Sequence, residues 1–105
     1  MSIFVRLFYQ ESDERKVSEF SDFLISKLSG LCEPVIFKIE KYWKIPNYFE
    51  ISLDLNSIYG KKSIEILNCL GNGWVLVGDS YIWNPDENHS FISPKVKWAS
   101  FELIE

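Results

Sequence analysis

The chain has 105 residues, 47% of them hydrophobic, and a formal net charge of −4. That length fits one domain spanning residues 1–105, and the hydrophobic share excludes an intrinsically disordered chain. The acidic balance disfavours non-specific nucleic-acid binding, because phosphate repels it, and is compatible with a basic partner.

Ile3 to Tyr9 opens the chain as a strand. Ile3, Val5, Leu7 and Tyr9 alternate with Phe4, Arg6 and Phe8, so both faces are mostly apolar, as in a central strand. Ser12 can cap a helix, and Asp13 and Glu14 suit its positive end. Val17, Phe20, Leu24 and Leu28 then make one apolar stripe at spacings of three and four, and Gly30 is a natural stop. After Pro34, Val35, Phe37 and Ile39 alternate with Ile36, Lys38, Glu40 and Tyr42, which predicts a half-buried strand. Pro46 and Asn47 mark the turn that follows.

Phe49 to Leu55 alternates strictly. Phe49, Ile51, Leu53 and Leu55 face the core, while Glu50, Ser52 and Asp54 face water or a partner. Asn56 or Ser57 can cap a second helix, whose stripe is Tyr59, Lys62, Ser63, Ile66, Leu67 and Leu70; Gly60 weakens its first turn. Gly71-Asn72-Gly73 ends it. Trp74 to Trp83 reads as a fourth strand with a bulge at Gly78 and Asp79, and Asn84 to His89 as a loop. Phe91 to Ile104 holds a fifth strand. Its alternation slips between Trp98 and Phe101, so a bulge near Ala99-Ser100 is expected.

The order β-α-β-β-α-β-β predicts an α+β, ferredoxin-like domain: an antiparallel sheet with two helices on one face. Strands one and three are expected at the centre, with the fifth paired to the fourth as a hairpin. The open face would carry Arg6, Lys38, Glu40, Glu50, Ser52 and Asp54.

No cofactor or metal is expected. A metal site wants several His or Cys at short spacing, and the single His89 sits in a polar loop. Cys32 and Cys69 lie far apart without a Cys-x-x-Cys and read as buried free thiols, consistent with a reducing cytoplasm; a cross-link between them stays open. The carboxylate pairs Asp13/Glu14, Glu50/Asp54 and Asp86/Glu87 have non-catalytic explanations in a helix start, a strand face and a turn. Gly71-Asn72-Gly73 follows a helix, the reverse of the order that a phosphate-binding loop needs. Phe4 and Phe8 could stack RNA bases, but the outer face of Phe49–Leu55 is acidic and no basic, glycine-rich signature accompanies them. Met1 to Arg6 lacks the pattern of a signal peptide, and no stretch approaches the roughly 18 apolar residues that span a bilayer. The expectation is therefore a cytoplasmic binding protein rather than an enzyme, nucleic-acid binder or membrane protein.

Trp83-Asn84-Pro85 and Val96-Lys97-Trp98-Ala99, in a small acidic two-helix sheet domain, resemble phrases of short immunity proteins of bacterial toxin systems, those of contact-dependent growth inhibition above all. The resemblance implies stoichiometric neutralisation of one cognate toxin domain, many such toxins being nucleases with basic active sites. The candidate contact residues are Trp43, Tyr48, Glu50, Asp54, Trp83, Asp86 and Glu87, with the aromatics as anchors and the carboxylates facing basic toxin residues. The alternative is a dimeric ligand-sensing domain, which fold analogy alone supports.

Overall fold

Nine consecutive residues, Ser2–Gln10, form the strand on which the domain is assembled. The computed structural model describes residues 2–56 and 63–104. In chain order its elements are β1 (Ser2–Gln10), α1 (Glu14–Leu28), β2 (Glu33–Lys41), β3 (Tyr48–Asn56), α2 (Ser63–Leu70), β4 (Gly71–Asn72), β5 (Val75–Val77), β6 (Ser80–Trp83), β7 (Ser90–Phe91) and β8 (Val96–Ile104). Six strands make one sheet in the order β2-β3-β1-β8-β6-β5, and β4 pairs separately with β7. Every pairing is antiparallel.

The α+β class, the two helices and the antiparallel sheet are as expected, but the strand order differs. It is the last strand, not the Trp74–Trp83 segment, that lies beside β1. That segment is two strands. Gly78 has φ +62° and forms a two-residue turn with Asp79, so Val77 pairs with Ser80 and the chain doubles back. Glycine at the first turn position with positive φ suits a tight hairpin. The four-residue β6 is short, whereas β8 has nine residues and pairs along β1.

The core lies on one face of the sheet. Ile3, Val5 and Leu7 of β1, Ile51, Leu53 and Leu55 of β3, and Ala99 and Phe101 of β8 are buried there with Val17, Leu24 and Leu28 of α1 and Ile66, Leu67 and Leu70 of α2. Tyr9 and Phe20 stack with ring centroids 4.2 Å apart, tying α1 to β1. Each such large side chain contributes about 1.5–3 kcal/mol through burial. Asp13, not Ser12, caps α1; its carboxylate accepts the Arg15 N–H at 2.9 Å. The predicted cap at Ser57 and the first turn through Lys62 lie outside the described residues. At the other end of α2, the Trp74 indole N–H donates to the carbonyls of Leu67 and Gly71 at 3.0 and 3.2 Å, supplying acceptors of the last turn with a donor. Cys32 is a buried free thiol, as expected, while Cys69 is free and half-buried.

Two register shifts decide which side chains reach the open face. In β2 the register slips between Ile36 and Lys38, so Ile36 lies opposite Leu53 and Ile39 opposite Ile51, on the core side. Phe37, the extra residue, instead makes an edge-on contact with Phe4 of the open face. The predicted set Val35, Phe37, Ile39 is thereby split. In β8 the bulge falls at Lys97, not near Ala99-Ser100. Val96 pairs with Tyr9 and faces the core, whereas Trp98 pairs with Phe8 and faces away from it.

Gly73 has φ +95°, and a Cβ placed on it would come within 2.4 Å of the His89 ring. Gly73→Ala should therefore destabilise the domain by about 1–3 kcal/mol in urea unfolding, while Gly30→Ala, which meets nothing within 4 Å, should change little. Equal effects of the two substitutions would contradict the close packing of the Gly73 turn against the loop.

Candidate functional site

The second face of the sheet, opposite the two described helices, is built by the alternate residues of the same strands. The antiparallel register sets them in rows. Asp54, Phe4, Glu102 and Ser80 lie side by side on β3, β1, β8 and β6. The next row is Lys38, Ser52, Arg6 and Ser100, and the next is Glu40, Glu50, Phe8 and Trp98. All six residues expected on the open face are there together.

Glu50 and Ser52 are buried, at 7% and 1% exposure, although their strand face is the one that turns from the core. Their neighbours close over them. The Arg6 Nε donates to Glu50 Oε2 at 3.0 Å, and Nη2 donates to Oε1 at 3.3 Å, so the guanidinium engages both carboxylate oxygens. Lys38 Nζ lies 3.2 Å from Glu50 Oε2 and 3.5 Å from Glu40 Oε1. One buried carboxylate thus joins cations from the strands on both sides of β3. Burial pushes the Glu50 carboxyl up, but hydrogen bonds from Arg6 and Lys38 outweigh it and hold the group below the ordinary carboxylate range. The same contact raises the Lys38 ammonium above its ordinary value.

Rings pack around this ionic centre. Phe8 lies 4.6 Å from Tyr42 and 5.2 Å from Trp98 between centroids. The Arg6 guanidinium carbon is 5.3 Å from the Phe8 centroid and 6.0 Å from that of Trp98, within cation–π range. Beside these rings is an open cavity of about 260 Å³ lined by Phe8, Tyr42, Ile45, Tyr48, Lys97 and Trp98. Asn47, with φ +63°, shapes the β2–β3 connection at this end, and its carbonyl accepts the Glu11 N–H at 2.8 Å. Trp43 projects from that connection at 83% exposure, with Lys44 Nζ 5.1 Å from its ring. At the other end of the face, Phe4 and Phe37 meet edge-on at 6.1 Å, and Phe37 is 65% exposed.

The structure separates the predicted contact residues. Tyr48 lines the cavity at the aromatic end of the face, and Trp43 is exposed on the β2–β3 connection beside that end. Glu50 is at its centre, where it binds the protein's own cations rather than standing free. Asp54 lies beside Phe4. Trp83 corrects the expectation of an exposed anchor: it is 3% exposed, packs on Phe91 with centroids 5.0 Å apart, and donates its indole N–H to the Asn72 carbonyl at 2.7 Å. Asp86 and Glu87 are exposed in the loop after β6, on the far side of β8 from the β2–β3 connection, and so do not join the cluster. Asp86 organises that loop, its carboxylate accepting the Asn88 N–H at 3.2 Å. The sequence reading missed Phe8, Tyr42 and Trp98 as a group. Phe8 and Tyr42 were readable from their phase with Arg6 and Glu40, whereas Trp98 required the correct bulge.

Among the described residues, no three or more His, Cys, Asp or Glu are gathered where they could hold a metal ion, and no helix is long and apolar enough to cross a membrane. No family model, curated protein or solved structure matches the chain.

Glu11 gives the domain a second carboxylate below its ordinary range. Hydrogen bonding to the Lys95 ammonium, followed by the Asp13 N–H, lowers it from 4.5 to about 2. A lowered carboxyl stabilises the fold above its ordinary value and loses that contribution as pH falls toward the folded value. The urea midpoint should therefore drop as pH falls from 4.5 toward about 2. In a Glu11→Gln, Glu50→Gln double variant the midpoint at pH 7 should be lower and the acid decline shallower. An acid decline as steep as that of the wild type would show that these two groups do not carry it.

Proposed function

We propose that the protein is a cytoplasmic immunity protein of a bacterial toxin system, a non-enzymatic inhibitor that binds one cognate toxin domain with the open face of its sheet. The observation that carries this reading is the aromatic cluster of Phe8, Tyr42 and Trp98 held around the Arg6–Glu50 pair on that face. Rings in contact, with their rotamers fixed by packing and by a guanidinium, lose little freedom on binding, and aromatic and arginine side chains dominate hot spots. Trp43, Tyr48 and Asp54 extend the surface along the same face. Trp83 is left out of it, and so are Asp86 and Glu87.

The resemblance to short immunity proteins gives the class of partner, and the acidic balance of the chain fits a basic toxin domain captured rapidly. The proposal extends to the fold. With β8 taken as the fourth principal strand and the β4–β7 stretch as an insertion before it, the order β2-β3-β1-β8 follows the ferredoxin-like arrangement.

Affinity capture from the native host tests the reading, with tagged wild type beside Trp43→Ala and Trp98→Ala. The wild type should recover a stoichiometric C-terminal fragment of a large secreted protein, and that fragment, expressed alone, should be toxic unless this protein is co-expressed. Trp43 is so exposed that Trp43→Ala should leave the melting temperature unchanged. Trp98→Ala should weaken binding by about 30-fold, the loss of one hot-spot residue. Capture of the same toxin with undiminished affinity by both variants would remove the open face from the interface. Recovery of the protein alone would overturn the immunity reading.

A further inference from the structure

The centre of the open face and one of its ends differ in how their charges are satisfied. At the centre, Arg6 lies over the Phe8 ring and bonds to the Glu50 carboxylate, so ring, cation and carboxylate all come from the chain itself. One end repeats the ring and the carboxylates. Phe4 of β1 stands between Asp54 of β3 and Glu102 of β8, each its direct cross-strand neighbour. Adjacent strands are about 4.8 Å apart, so the two carboxylates rise from backbones roughly 10 Å apart, on the two strands that flank Phe4. Phe37 meets Phe4 edge-on. Neither Asp54 nor Glu102 has an ion-pair partner among the described residues, whereas Glu40 and Glu50 share Lys38.

We infer that this end of the face receives an arginine side chain of the protein partner, laid on Phe4 and bonded on its two sides by Asp54 and Glu102. The assignment rests on the open face being the toxin-binding surface. It follows from charge complementarity: two carboxylates beside an aromatic ring, without an ion-pair partner among the described residues, favour a cation that can stack. A planar guanidinium offers donors on opposite edges and stacks on rings, whereas an ammonium is a compact point charge. The Arg6 arrangement shows the same chemistry built from the protein's own residues.

The test uses the isolated protein and a small probe, so it fails separately from the search for the toxin. N-acetyl-arginine amide is titrated into labelled protein and followed by amide chemical shifts, beside its citrulline and lysine counterparts. Saturable shifts centred on Phe4, Asp54 and Glu102 are expected for the arginine compound. They should be absent for the neutral citrulline compound and weaker for lysine. The Asp54→Asn, Glu102→Gln double variant should bind roughly tenfold less tightly. Uniform, non-saturating shifts, or an unchanged titration of the double variant, would overturn the site. Equal binding of the lysine compound would overturn its assignment to arginine.

Discussion

The centre of the open face depends on one buried carboxylate. Glu50 sits on a strand surface turned away from the core and is nonetheless enclosed, because Arg6 and Lys38 reach it from neighbouring strands. A carboxylate removed from water is costly unless it is paired and hydrogen-bonded. Here both its oxygens are engaged by a single guanidinium. The pairing constrains Arg6, and Arg6 then lies against Phe8 and Trp98. The ion pair thus holds Arg6 against two rings that the strand register has already set on this face.

The constraint reaches back to the pairing of β1. With β3 on one side and β8 on the other, each alternate residue of β1 is committed to one face. Ile3, Val5 and Leu7 join the helices, so Phe4, Arg6 and Phe8 must turn outward. Two bulges complete the surface. The one at Phe37 brings that ring to Phe4 and sets Lys38 opposite Ser52, within reach of Glu50. The one at Lys97 sends Val96 into the core and Trp98 to Phe8. Without the shift in β8, Val96 would share the outward phase of Trp98, Ser100 and Glu102 instead of reaching the core.

This also explains how far the sequence could be read. Strict alternation made β1 and β3 legible, and with them the open-face set from Arg6 to Asp54. The stripe Val17, Phe20, Leu24 and Leu28 made α1 legible. Bulges break alternation without naming the extra residue, so Val35, Phe37 and Ile39 were read as one face of a half-buried strand, and the slip in the last strand was placed at Ala99-Ser100 rather than Lys97. The hairpin at Gly78-Asp79 was read as a bulge within one strand, although Gly-Asp between two strand-like runs is also a signal for a two-residue turn; the positive φ of Gly78 and the pairing of Val77 with Ser80 decide for the turn. Trp83 looked like a hot-spot residue beside an acidic loop, and nothing local revealed that its indole would find the Asn72 carbonyl across the small β4–β7 pair.

The sheet face organised by Glu50 is the proposed toxin-binding surface. Hydroxyl-radical footprinting reads it side chain by side chain, with the protein alone and then in complex with the captured toxin domain. Protection of Phe4, Phe37, Tyr42 and Trp98, with Phe23 on the exposed side of α1 labelled as before, is the result this account requires. Protection of Phe23 with the open-face aromatics still labelled would contradict it.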